Sequence, residues 1–148
     1  MKKILFVCHG NICRSPMAEF LFRDMAQKAG LDVEVASAAT SFEEIGNPVH
    51  SGTRRILSRF GIDPSGKRAR RIVPEDYEEY DYIIGMDSAN LRNMLRFFGS
   101  DPQNKLSLML DYTDSPRDVA DPWYTGDFEA TLRDITAGSE GLIKILKS

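Results

Sequence analysis

The stretch Ile4–Phe20, ILFVCHGNICRSPMAEF, runs an apolar segment into a cysteine, then through a glycine and an asparagine to Arg-Ser-Pro. Four consecutive large apolar residues, Ile4 to Val7, have the pattern of a strand covered on both faces, as in parallel sheets flanked by helices. Beyond the loop, Ala18, Leu21, Phe22, Met25 and Ala29 recur at helical spacing, and Gly30 supplies a C-terminal stop. Sheets of this kind bind ligands beyond the carboxyl ends of their strands, where the strand order reverses. The first strand-to-helix loop, Cys8–Ser15, is a favoured place for such a site.

The same alternation continues downstream. Val33, Val35 and the small residues after them read as a second strand, Tyr82–Ile84 as a third and Leu106–Leu110 as a fourth. Ile56, Leu57 and Phe60 share a helical face ending at Gly61. Ser88 is placed to cap a helix whose inner face is Leu91, Met94, Leu95 and Phe98, closed by Gly99. Phe128, Leu132, Ile135, Leu142 and Leu146 mark a long final helix that Gly138 and Gly141 weaken locally. Strands alternating with helices need crossover connections, which gives a mainly parallel sheet with helices on both faces. Asp111–Asp127, rich in Asp, Pro, Gly, Trp and Tyr, reads as a functional surface loop.

Composition narrows the function. At 148 residues, 42% hydrophobic and 28% charged, residues 1–148 fit one domain with a substantial core. The apolar run after Met1-Lys2-Lys3 is cut by His9, Gly10 and Asn11, so no secretion signal is expected, and no stretch is long enough for membrane insertion. Two cysteines without a signal segment point to the reducing cytoplasm, where a thiol is reactive, metal-binding or buried. A net charge of −3 gives no reason to expect nucleic acid. The basic residues between Arg54 and Arg71 read as a solvated helix face with loop charges. Cys8, His9, Cys13 and His50 are the only soft metal ligands, and neighbours in sequence rarely form a structural zinc site. Neither a metal nor another cofactor is expected.

The loop has a chemistry of its own. Gly10 and Asn11 tolerate unusual backbone angles, so the five residues between Cys8 and Arg14 can curl with successive N–H groups pointing inward as an anion-binding nest. Pro16 suits the first helical position, and the positive end of that helix faces the same point. Arg14 adds a planar fork matched to two phosphate oxygens, and helix N-termini with nearby cations favour the thiolate of a cysteine. The combination suggests attack of Cys8 on phosphorus, giving a phosphocysteine that water hydrolyses. A leaving oxygen needs a proton, so a carboxylic acid should overhang the pocket. Asp111, Asp114, Asp118 and Asp121 all qualify, Asp121-Pro122-Trp123-Tyr124 being the most specialised setting.

VCHGNICRSP together with DPWYTGDFE resembles the low-molecular-weight protein tyrosine phosphatase family, over essentially the whole chain. The resemblance implies an α/β, three-layer fold with a four-stranded parallel sheet, helices on both faces and a phosphate-binding loop after the first strand. It implies Cys8 as nucleophile, Arg14 as phosphate clamp and transition-state stabiliser, and Asp121 as general acid. His9, Gly10, Asn11, Ile12, Cys13 and Ser15 would surround the substrate phosphate, with Trp123 and Tyr124 as aromatic walls. Asn11 would order the loop, and Ser15 would donate to the Cys8 sulfur as it departs. Cys13 matches a second family cysteine that can trap Cys8 as a reversible disulfide; an inert packed thiol is the competing reading. Ser15 likewise has a competing role as a helix N-cap. The partner implied is a phosphotyrosine-containing protein, with the enzyme a monomer or weak homodimer.

Several positions depart from the family pattern. Glu43, preceded by Phe42, stands where many relatives place an aromatic residue on the pocket wall. Lys67 is nearest to a family histidine that supports the loop. Trp123 stands where relatives often have tyrosine. Ile12, where protein-arginine phosphatases would have threonine, favours phosphotyrosine. Met86, Asp87 and Asn90 read as structural, with Asp87 anchoring the neighbourhood of the loop. Two other classes share parts of this pattern. Arsenate reductases of related fold need further thiols, and none follows Cys13. Sugar phosphotransferase carriers form a phosphocysteine but need no acid of their own for a leaving group, which Asp121 would supply.

Overall fold

The structure, a computed structural model, describes residues 1–148. Four parallel strands, β1 (Lys2–Cys8), β2 (Val33–Ala39), β3 (Tyr82–Gly85) and β4 (Leu106–Leu108), lie in the order β2-β1-β3-β4. The order reverses at β1, whose neighbours are β2 on one side and β3 on the other. The crevice rule therefore singles out the end of β1, where Cys8 pairs in register with Ala39.

Side-chain alternation along β1 explains its unbroken apolar run. Ile4, Phe6 and Cys8 belong to the core cluster that includes Met17, Phe22, Ile135 and Leu142. Leu5 and Val7 belong to a second cluster with Ile72, Tyr77 and Met94. The first cluster is covered by α1 (Arg14–Lys28), α2 (Ser51–Ser58) and α6 (Phe128–Lys147), the second by α3 (Asp76–Glu79) and α4 (Ser88–Phe98). Strand parity thus carries the Cys8 side chain to the α1 side, toward the start of that helix.

Some local expectations need correction. Pro16 is the third residue of α1, which begins at Arg14 with Cys13 as N-cap; the first four N–H groups of a helix lack internal acceptors, so proline fits there equally well. Asp87, one place before Ser88, caps α4, and the Asn90 side chain reciprocates. The last strand stops at Leu108, and Met109–Tyr112 form a 3-10 turn. Phe60 and Leu95 are exposed, Phe60 because α2 ends at Ser58 and Leu95 because Leu91, Met94 and Phe98 carry the buried stripe of α4. The short α3 has no counterpart in the sequence reading.

Gly138 and Gly141 do not interrupt α6. A Cβ at Gly138 would strike Met109, and one at Gly141 would strike the carbonyl of Tyr112. Both glycines let the helix lie directly on the 3-10 turn that follows β4. No helix is long and apolar enough to cross a membrane.

Candidate active site

Residues Cys8 to Ser15 turn sharply from β1 into α1, and the turn depends on Asn11, which holds a left-handed φ of 59°. Asparagine tolerates that region better than most residues because its short polar side chain bonds locally. Here the bonds are specific. Asn11 Nδ2 donates to Ser15 Oγ at 2.8 Å and to Ser37 Oγ at 2.9 Å, while Oδ1 accepts the Arg70 N–H at 3.2 Å. The Asn11 backbone N–H points at Cys8 Sγ, 3.3 Å away.

The donors in this cluster can be assigned by elimination. Ser37 gives its hydroxyl hydrogen to Glu19 Oε1 at 2.5 Å, so its oxygen accepts from Asn11. Asn11 then offers its second amide hydrogen to Ser15. Ser15 is left with its own hydrogen for Cys8 Sγ, 3.0 Å away. Ser15 is therefore no helix cap; its side chain turns back to the sulfur.

Arg14 is 2% exposed. Its Nη1 donates to Asp87 Oδ2 and to the Val119 carbonyl, each at 2.8 Å, and Nη2 lies 3.4 Å from Asp121 Oδ2. Burial works against its charge, but Cys8, the bond to Asp87 and the Asp121 carboxylate outweigh it and hold its pKa above the ordinary value. Asp121 caps the short α5 (Pro122–Thr125), accepting the Trp123 N–H at 3.0 Å. The capping bond sets one carboxylate oxygen while the other faces Arg14.

A cleft of about 110 Å³ opens over Cys8. The loop contributes Cys8, His9, Gly10, Ile12, Cys13 and Arg14; the α5 segment contributes Asp121, Trp123 and Tyr124. Glu43 and Glu44, from the loop after β2, complete the lining. A side chain on Gly10 would press on Glu44 Cγ at 3.2 Å. Trp123 and Tyr124 are largely exposed, and the His50 ring meets Trp123 edge-on at 5.7 Å and stacks on Phe128 at 5.2 Å. His50 N–H also donates to the Ile12 carbonyl at 2.8 Å, and Thr53 Oγ1 to the Cys13 carbonyl at 2.9 Å, tying α2 to the loop.

Asn11 and Ser15, expected among the substrate-contacting residues, do not line the cleft; both are buried behind it. Their side chains are consumed by the cluster that shapes the loop. Lys67 does support the loop, indirectly: its Nζ donates to the Ser37 carbonyl at 2.9 Å and lies 3.9 Å from Glu19 Oε1. Burial lowers its pKa against the opposing charge of Glu19. Cys13 is a free, buried thiol pushed up to about 12, chiefly by burial and then by the charges of Cys8 and Asp121, with Arg14 opposing. Glu19, Ser37 and Val119 have no signal in the sequence that separates them from ordinary structural residues, and Arg70, expected only among the solvated basic residues, gives its backbone N–H to Asn11 Oδ1. No three His, Cys, Asp or Glu side chains are grouped as metal ligands.

The model of the low molecular weight phosphotyrosine protein phosphatases matches residues 3–148. The chain belongs to that family. The low molecular weight protein-tyrosine-phosphatase YfkJ of Bacillus subtilis is 44% identical over 147 residues, covering 97% of this chain and 94% of that one. The crystal structure of YfkJ superposes with a TM-score of 0.95 at 42% identity, over 99% of this chain and 95% of the other. That of SP-PTP from Streptococcus pyogenes gives 0.88 at 41% identity, over 100% and 95%. The low molecular weight phosphotyrosine protein phosphatase of Schizosaccharomyces pombe is 40% identical over 130 residues, 84% of this chain and 82% of that one. This low molecular weight phosphatase is thus a protein tyrosine phosphatase, hydrolysing phosphoric monoesters, and the parallel four-stranded sheet is the one its family resemblance implied.

Proposed function

We propose that Cys8 is the nucleophile, Arg14 the transition-state clamp and Asp121 the general acid and base of this phosphatase. The observation carrying the assignment is the Cys8 sulfur, held between Ser15 Oγ and the Asn11 N–H at 3.0 and 3.3 Å on the floor of a cleft shared with Arg14 and Asp121.

In the first step the Cys8 thiolate forms the S–P bond as the bond from phosphorus to the tyrosine oxygen breaks. Asp121 gives its proton to that leaving oxygen. Arg14 and the inward N–H groups of the loop stabilise the equatorial oxygens, which carry the charge as bonds change. In the second step Asp121, now a carboxylate, takes a proton from water while the water oxygen attacks phosphorus. The S–P bond breaks, inorganic phosphate forms and the thiolate returns, stabilised by the Ser15 hydroxyl. Asp87 and Val119 hold one edge of Arg14, so the clamp is oriented before substrate arrives.

The substrate of this reading is a phosphotyrosine-bearing protein. The apolar Ile12 in the lining and the exposed rings of Trp123 and Tyr124 suit an aryl ester. Two free cysteines support a cytoplasmic location, and the enzyme acts as one domain over residues 1–148, a monomer or weak homodimer.

Hydrolysis of an aryl phosphate by wild type, Cys8→Ser and Asp121→Ala tests the assignment. Cys8→Ser should abolish turnover, and Asp121→Ala should slow it most for poor leaving groups. Wild-type turnover by Cys8→Ser overturns the mechanism. A phosphocysteine that accumulates without hydrolysis would instead identify a phosphoryl carrier.

A further inference from the structure

The loop after β2 brings two carboxylates, Glu43 and Glu44, to the cleft that also holds Cys8 and Asp121. The segment that carries them is anchored on both sides, to the phosphate loop before them and to Ala69 after them. Thr40 N–H donates to the Cys8 carbonyl at 3.0 Å, and Ser41 N–H to the His9 carbonyl at 3.1 Å. Arg71 Nε donates to the Thr40 carbonyl at 3.0 Å, and its guanidinium lies 4.1 Å from the centre of the Phe42 ring. Farther along, Gly46 N–H donates to the Ala69 carbonyl at 2.8 Å. The two carboxylates are therefore presented from an anchored segment beside the cleft.

Each carboxylate is also oriented by one bond only. Glu43 Oε2 pairs with His9 Nε2 at 2.7 Å, and Glu44 Oε2 accepts from Asn47 Nδ2 at 2.5 Å. The Oε1 atoms have no protein partner, and the Glu43 side chain is 69% exposed. Glu43 and Glu44 border the mouth beside Asp121, the proposed acid, whereas the only guanidinium lining it, Arg14, is buried and bound to Asp87 and Val119. A polypeptide placing a phosphotyrosine over Cys8 must lay its neighbouring side chains against this acidic rim.

We infer that Glu43 and Glu44 select phosphotyrosine flanked in the substrate by lysine or arginine, and reject phosphotyrosine flanked by acidic residues. The inference rests on the phosphotyrosine reading and names its substrate class. A cationic neighbour pairs with the uncommitted oxygens and offsets the repulsion between the rim and the incoming phosphate. An acidic neighbour adds to that repulsion.

The test is a pair of phosphotyrosine peptides identical except for arginine or glutamate on both sides of the phosphotyrosine, assayed as kcat/KM at two salt concentrations. Wild type should favour the basic peptide by at least about fivefold at low salt, the preference shrinking as salt is added. In the Glu43→Gln/Glu44→Gln double variant the ratio should approach one, and in Glu43→Lys/Glu44→Lys it should invert. The ratio cancels any general loss of activity from the substitutions. Equal use of both peptides by wild type, or a preference unchanged in the variants, overturns the inference alone. Hydrolysis of neither peptide alongside an active aryl phosphatase overturns the phosphotyrosine reading as well.

Discussion

Ser37 donates its hydroxyl hydrogen to Glu19 Oε1 across 2.5 Å, and this bond sets the direction of the hydrogen bonds leading to Cys8. Glu19 is buried and also takes a bond from Arg23 Nη2 at 2.6 Å. With Ser37 committed as donor, Asn11 must present Nδ2 to both serines and Oδ1 to the Arg70 N–H. Ser15 is then the donor to sulfur.

Ser37→Ala removes the middle of this chain and leaves a buried carboxylate oxygen and an Asn11 N–H without their partner. The expected cost is about 1–3 kcal/mol of folding stability, the usual result of stranding buried polar groups. Urea unfolding measures it, and kcat should fall in the same variant because Asn11 loses one of the three side-chain bonds that hold it. A variant as stable and as active as wild type would show that the chain does not order the loop.

Arg14→Lys keeps the charge but not the fork. An ammonium cannot span Asp87, Val119 and the cleft together. With the clamp on the developing phosphate charge lost, kcat should fall by roughly 10²–10³, the scale of removing a preorganised stabiliser. Steady-state rates with an aryl phosphate decide it; a change of threefold or less would mean that charge alone suffices.

Cys13 makes stability fall at high pH. Folding raises its thiol from 9.0 to about 12, so between those values the folded protein keeps a proton that the unfolded chain releases. The contribution is fully present below pH 9 and is lost as pH rises through 12. Unfolding followed from pH 8 upward should show a steeper decline in wild type than in Cys13→Ala. Iodoacetamide at neutral pH should leave Cys13 unmodified until the protein unfolds; rapid labelling of native Cys13 would contradict the burial argument.

Gly141→Ala sets helix propensity against packing. Alanine gains about 1 kcal/mol over glycine inside a helix. Its methyl would overlap the Tyr112 carbonyl, a backbone atom that cannot step aside cheaply, and overpacking costs about 1–3 kcal/mol or more. Packing should win, giving a net loss in urea unfolding. A stabilised variant would mean that α6 does not rest on Tyr112.

The contiguous part of the site was legible because its parts are neighbours in the chain. An apolar strand, Cys8, Gly10-Asn11, Arg14 and a following helix need only local geometry to form a nest, and Asp121 before Pro122 marks a second specialised turn. Asp87 was read as an anchor near the loop, and its bond to Arg14 makes that concrete. The helix glycines misled because propensity weighs one residue at a time, whereas Gly138 and Gly141 answer to the turn at Met109–Tyr112.

By itself the sequence determined the alternation of strands and helices and the sharp turn at Cys8–Ser15, and it supplied the candidates proposed to attack, clamp and protonate, with four aspartates open for the last role until the family resemblance pointed to Asp121. Only the tertiary structure decided which distant residues hold them. Asp87 and Val119 reach Arg14 from 73 and 105 positions away, and Ser37 reaches Asn11 from 26. Parallel strands make these meetings: each crossover returns the chain to the same end of the sheet, so side chains far apart in sequence converge beyond Cys8, where buried polar atoms must find partners among whatever the packing brings.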